Sequence, residues 1–432
     1  MIFRQVIAVG LLACSHVVLA SAPAPSAVVT NYANVAQASY EDALAGARQL
    51  QGKVNALLRA PDAAALADAR QAWIDARVPY QQTEAFRFGN PVVDGWEGRV
   101  NAWPLDEGMI DYVDASYGND SDLNAYYVVN VIANPKLAIG GKPVDASNIT
   151  PELLRHVLHE ADGNEANVAT GYHAIEFLLW GQDLNGTGPA PVGREGSPQM
   201  RHAGNRPYTD FDPVNCTGGN CERRAQYLKV ATDMLVADLE EMVAHWQPGG
   251  QARAAVEADA NAGLVAMLTG VGSLSYGELA GERIKLGLIL HDAEEEHDCF
   301  SDNTHNAHYY NQLGMMNVYL GRYAGVAGQI VEGPAISDLV RAVDPDLDDE
   351  MQARLQATLN AMQVMRDRAQ NIETYDQMIG QGNAEGNAVI QAIVDQLVAQ
   401  TRSIERVISV LKLGGVQIEG SDSLDSAGAV FK

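Results

Sequence analysis

The run Gly171-Tyr172-His173-Ala174-Ile175-Glu176 sets an imidazole and a carboxylate three residues apart. In a helix that spacing puts both side chains on one face, where one nitrogen and one oxygen can reach the same ion. A hydrogen-bonded core histidine beside a solvated glutamate would show the same spacing. Phe177, Leu178, Leu179 and Trp180 follow at once, and an unpaired carboxylate against so apolar a surface is costly. A second cluster runs from Ile289 through His291, Asp292, Glu294, Glu295, Glu296, His297 and Asp298, and continues to Asp302, His305 and His308. Read as helix, His291, Glu294 and His297 repeat at threes and line one stripe; a solvated acidic helix end is the plainer alternative. Histidine suits iron, zinc and copper, and carboxylates bias a mixed set toward iron, manganese or zinc.

Other candidates are Glu84 and Arg87 beyond Pro79, Arg99 and Asp106 on either side of Trp103-Pro104, and Arg283 in Gly281-Glu282-Arg283. Each of these also fits a structural ion pair. The chain has no His-Glu-x-x-His run, no phosphate loop ending in Lys-Ser/Thr and no Gly-x-Ser-x-Gly elbow. A catalytic zinc takes three protein ligands plus an open position, so His173 and Glu176 need partners. Glu84, Glu294 and His297 are the residues expected to supply them.

Helices must position these groups. With 432 residues, 47% of them hydrophobic and 19% charged, the chain can bury a large core and is expected to divide into about two domains. Arg4, the apolar run from Val6 to Ala13 and the small residues near Ala20 read as a signal peptide over residues 1–20. Leu11-Leu12-Ala13-Cys14 also resembles a lipoprotein box, which would leave an N-terminal lipid anchor as the protein's membrane contact. Periodicity and breakers predict helices over 31–60 and 62–88, the latter kinked at Pro79, and an irregular segment over 89–103. Shorter helices are expected at 104–115, 122–132, 151–161 and 165–182, then a Gly- and Pro-rich loop over 183–215. Helix resumes near Glu222 and runs to Trp246. Beyond Pro248-Gly249-Gly250, further helices are expected at 252–270, 275–298, 304–326, 347–377 and 385–412. The reading is all-α: one bundle over 28–248, a second over 249–415 and a flexible tail over 416–432. A formal net charge of −26 argues against a nucleic-acid partner. Cys216 and Cys221 flank a glycine turn and are expected to pair in an oxidising compartment, leaving Cys299 unpaired and buried.

The run from Gly171 to Asp183 resembles the Gly-x-His-x-x-Glu signature of the imelysin family, which includes the iron-regulated protein A group. Trp73 to Gly89, Trp96 to Asp106 and Gly277 to Arg283 are similar to that group as well. The resemblance implies two helical bundles related by approximate duplication with a site between them. It also implies export to the periplasm or outer membrane, and a role in iron supply alongside an iron carrier or other uptake components. His173 and Glu176 become the proposed metal ligands, with iron as the first expectation and zinc the second. Family members carry a metallopeptidase label, and under that alternative Glu176 would be the catalytic carboxylate. A scaffold that binds no metal is the third reading.

Overall fold

The computed structural model describes residues 22–189, 191 and 193–431; the expected signal segment and Cys14 lie outside the described residues. Helix α1 (Pro25–Arg59) opens on a proline, whose missing N–H costs nothing in a first turn. The Asp62 carboxylate caps α2 (Ala63–Gln81) by accepting from the Ala65 N–H at 2.7 Å. Pro79 lies in the last turn of α2, and the helix stops there instead of continuing kinked to residue 88.

The stretch expected to be irregular contains α3 (Pro91–Asn101). Asn90 caps it, Pro91 starts it, and Val93, Trp96, Glu97 and Val100 form a buried stripe at helical spacing. Conversely, 104–115 and 122–132 form only isolated turns. Their Asp and Asn side chains bind nearby backbone instead: Asp114 accepts from the Ser116 N–H and Asn124 from the Tyr126 N–H. A small hairpin not expected from the sequence follows, β1 (Lys136–Ile139) with β2 (Lys142–Asp145), turning at Gly140 and Gly141 in the left-handed region.

Helix α4 (Gly171–Trp180) is buried along its whole length and packs with α2, α3 and α5 (Cys221–Trp246), while α1 crosses α2 and α5. Tyr32, Tyr40, Phe86, Trp96 and Trp246 interlock at the centre of this group. The second half is built from α6 (Ala260–Ser273), α7 (Thr304–Leu320), α8 (Pro345–Asn371) and α9 (Ala384–Val410). A second hairpin, β3 (Arg322–Ala324) with β4 (Ile330–Glu332), replaces the expected end of α7. The two halves share one continuous apolar core, with α6 against α1 and α7 against α2. At the second contact a Cβ on Gly314 would stand 2.5 Å from the Gln82 carbonyl oxygen, so only glycine allows that approach.

Two departures from expectation shape the site. Helix α6 runs on as a π-helix over Leu274–Lys285 and a last α turn over Leu286–Leu290, then ends as His291 adopts φ 55°. The expected helix 275–298 is therefore broken within the acidic cluster. The tail expected to be flexible lies along the π-helix as far as residue 425, with the Ser423 hydroxyl donating to the Gly281 carbonyl at 2.9 Å. Among the described residues no helix is long and apolar enough to cross a membrane.

Candidate metal centre

Helix α4 begins at Gly171, which has φ 83° and no room for a side chain: a Cβ would lie 2.4 Å from the Val100 carbonyl oxygen at the end of α3. The Thr170 hydroxyl donates to the Arg99 carbonyl at 2.9 Å and fixes the same junction. This docking aims His173 and Glu176 at the segment after His291. His173 Nδ1 lies 3.0 Å from Glu176 Oε2, and Glu176 Oε1 accepts from the Ser301 N–H at 2.9 Å and its hydroxyl at 2.7 Å. The His297 ring stands nearly perpendicular to that of His173, with centroids 4.8 Å apart. Donor atoms of His173, His297 and Asp298 lie within 4.8 Å of one another, and all three residues are buried. Among the described residues His173 Nε2 has no hydrogen-bond partner.

Arg77, on α2, closes one side. Its Nη2 donates to Asp298 Oδ1 at 2.6 Å and its Nη1 to Asn101 Oδ1 at 2.6 Å, and its guanidinium lies 4.9 Å from the Tyr172 ring centroid. Asn303 donates to the other Asp298 oxygen at 2.9 Å, and His297 Nδ1 is 3.1 Å from Asp298 Oδ1. Burial, reinforced by Arg77, pushes the His173 pKa well below the usual imidazole range; burial and then Arg283 do the same to His297. Neutral imidazole is the form that binds metals. Burial and the neighbouring Asp298 raise Glu176 well above the carboxylate range. For Asp298, burial acts upward but is outweighed by Arg77 and His297, so the carboxyl is held well below its ordinary value. Metal-bound histidines commonly rest their second nitrogen on a carboxylate or carbonyl, the contact that Glu176 makes with His173.

The structure brings His173, Glu176 and His297 together but separates them from the other expected partners. Glu84 is held at 2.7 Å by Arg283, which also meets Glu278 at 2.6 Å. The Glu278–Arg283 pair is five residues apart, a separation that the π-helix turns into neighbours. Arg87 extends the network to Glu278 and Glu97, and Asn101 links Glu97 to Arg77. Glu294 is turned away from His297 by the break at His291. It is exposed at a cleft of about 450 Å³, also lined by Trp103, Asp106, Glu107, Tyr117 and Cys299. Trp103 connects cleft and centre, its ring 5.6 Å from that of His297. Asp106 accepts from Asn124, while Arg99 pairs with Glu241 at 2.9 Å and Asp238 at 3.5 Å on α5. Cys299 is half-buried, and burial with nearby carboxylates pushes its thiol pKa up. Cys216 and Cys221 are disulfide-bonded.

Reasoning from spacing missed Arg77, Asn101, Asp298 and Ser301 as parts of the centre. Asp298 stands next to His297 and was visible as a ligand type. Arg77 carried no local signal, because its partner lies 221 positions away.

The sequence profile of the imelysin family matches residues 36–404. A 68-residue segment is 44% identical to iron-regulated protein A of Synechococcus elongatus, covering 16% of this chain and 19% of that relative's length. A Parabacteroides distasonis structure named as an iron-regulated protein A precursor superposes with a TM-score of 0.61 at 17% identity, over 90% of this chain and 96% of its own. An imelysin-like protein from Psychrobacter arcticum gives a TM-score of 0.53 at 14% identity, over 91% and 99%. At these identities the two structures speak for the fold alone; the profile match spans most of the sequence, and the chain belongs to the imelysin family.

Proposed function

We propose that this protein is an exported metal-binding member of its family that captures or presents iron, holding the ion at His173, His297 and Asp298 with Glu176 orienting His173. The observation that carries the reading is the buried His173 Nε2, left without a partner beside a second imidazole and a carboxylate. A buried polar atom with no partner is costly, and a metal ion would satisfy it. Two nitrogens and one oxygen suit iron or zinc, and the name iron-regulated protein A borne by the relative that matches a 68-residue segment favours iron. The disulfide is in keeping with an oxidising, exported setting.

Binding is favoured over peptide hydrolysis by burial. His173, Glu176, His297 and Asp298 are each 0–1% exposed, and a peptide substrate would have to reach a centre closed by Arg77 and Trp103. The test is iron titration of the metal-free chain against the His173→Ala/His297→Ala variant. The wild type should bind iron at a site the variant lacks; equal stoichiometry and affinity in the two would overturn the reading. Incubation with unfolded peptides, with and without chelator, tests the peptidase alternative, and chelator-sensitive cleavage lost in the same variant would favour it.

A further inference from the structure

The acidic run does more than supply His297. Glu296 has extended backbone (φ −79°, ψ 130°), so its side chain and that of His297 leave the chain on opposite sides. His297 turns to α4. Glu296 turns to a separate buried cluster, where its donor atoms lie within 4.8 Å of those of Asp302 and Asp376. Asp376 belongs equally to a second such group, with Asp183 from the loop after α4 and His202 from the short helix Pro198–His202. Four separate chain segments thus supply two adjoining groups that share Asp376.

The cluster is unusual in what it lacks. Glu296, Asp302, Asp376 and His202 are each 0–1% exposed. Among the described residues no Lys or Arg makes an ion pair with any of the four carboxylates; the one basic neighbour is His202, whose Nδ1 is 3.3 Å from Asp376 Oδ2. Among the described residues, both oxygens of Asp302, Glu296 Oε1, Asp376 Oδ2 and both ring nitrogens of His202 have no hydrogen-bond partner. Buried carboxylates are ordinarily paired, hydrogen-bonded or bound to a metal. Protons shared between the carboxyls would relieve repulsion; a cation would answer the orphaned oxygens and the His202 nitrogen that faces Asp376 together.

We propose that Asp183, His202, Glu296, Asp302 and Asp376 form a second cation site, distinct from the His173 centre, that takes a divalent ion of the manganese(II) and iron(II) class. The donor set decides the class. Carboxylate oxygens dominate, which selects a hard ion, and the single imidazole favours a transition metal over magnesium or calcium. Asp376 is the ligand common to both groups, and Thr374 orients it by donating its hydroxyl to Oδ1. The site needs no occupancy at His173, so the two assignments stand or fall separately.

Manganese(II) alone is the probe, added to the metal-free full chain and followed by loss of the free-ion paramagnetic resonance signal. Asp302→Asn is the informative variant: neither Asp302 oxygen has a partner, so a purely structural role would lose nothing by the change. The His173→Ala/His297→Ala variant should retain a manganese site that Asp302→Asn weakens at least tenfold, and Asp376→Asn should repeat the effect. A second readout is the rise in unfolding temperature on adding manganese, which Asp302→Asn should abolish while unfolding no earlier than wild type without metal. Unchanged binding and unchanged metal-induced stabilisation in Asp302→Asn would overturn the proposal. So would loss of all manganese binding in the His173→Ala/His297→Ala variant.

Discussion

Arg77→Met separates charge from packing at the centre. The Arg77–Asp298 pair is 1% and 0% exposed, with a shortest contact of 2.6 Å. Methionine keeps an unbranched apolar stem near the rings of Trp73 and Tyr172 but leaves Asp298 without its counter-charge. Removing one partner of a buried pair costs about 3–5 kcal/mol, because the remaining charge stays in a medium that solvates it poorly. The sign of the pH dependence follows from Asp298. Its folded pKa is depressed, so the stability it contributes is fully present above its unfolded value of about 3.9 and fades as pH falls through the lower folded value. Without Arg77, burial raises that carboxyl. The penalty should then be greatest at neutral pH and shrink as pH falls toward about 4, because the variant's buried carboxyl takes up a proton there instead of keeping its charge, while the unfolded group is only about half protonated. Urea unfolding of metal-free protein, followed by helical circular dichroism at both pH values, measures it. A loss within the roughly 0.5 kcal/mol typical of surface substitutions, or one equal at the two pH values, would refute the reasoning.

Glu176→Gln should lower metal affinity about 10–100-fold while leaving stoichiometry unchanged, as expected of a residue that orients a ligand. Titration checks this, and a lost equivalent of metal would instead make Glu176 an indispensable ligand. Gly171→Ala combines a positive φ with a contact of 2.4 Å to Val100 O. It should cost at least the roughly 1–3 kcal/mol of a strained backbone and loosen metal binding, both visible by urea unfolding and titration; wild-type stability would show that α3 and α4 can move apart freely. Cys299, its thiol pKa pushed up by burial and nearby carboxylates, should resist alkylation in native protein at neutral pH and react on unfolding. Rapid native labelling would contradict that environment.

Much of this protein is local and therefore legible in sequence. Helical periodicity, the Asp62 cap and the stop before Pro248 depend on residues within a turn or two, and the all-α class follows from them. The contact of His173 with Glu176 is of the same kind, since a three-residue spacing on a helix settles it. What failed were extrapolations of helix across points where side chains or backbone choose otherwise. His291 in the left-handed region breaks the stripe that was to carry Glu294 with His297, leaving one at a cleft and the other beside His173. The π-helix made neighbours of Glu278 and Arg283 at a spacing that α periodicity does not pair.

The rest is non-local. Arg77 reaches Asp298 across 221 positions, and Glu84 is held by Arg283 across 199. Asp376 meets His202, Asp183, Glu296 and Asp302 through packing alone. Composition showed these residue types were present, but only the tertiary structure decided which carboxylates have a basic partner and which are buried without one. Neighbours along a helix are dictated by its pitch, whereas neighbours across a core depend on how every helix packs at once.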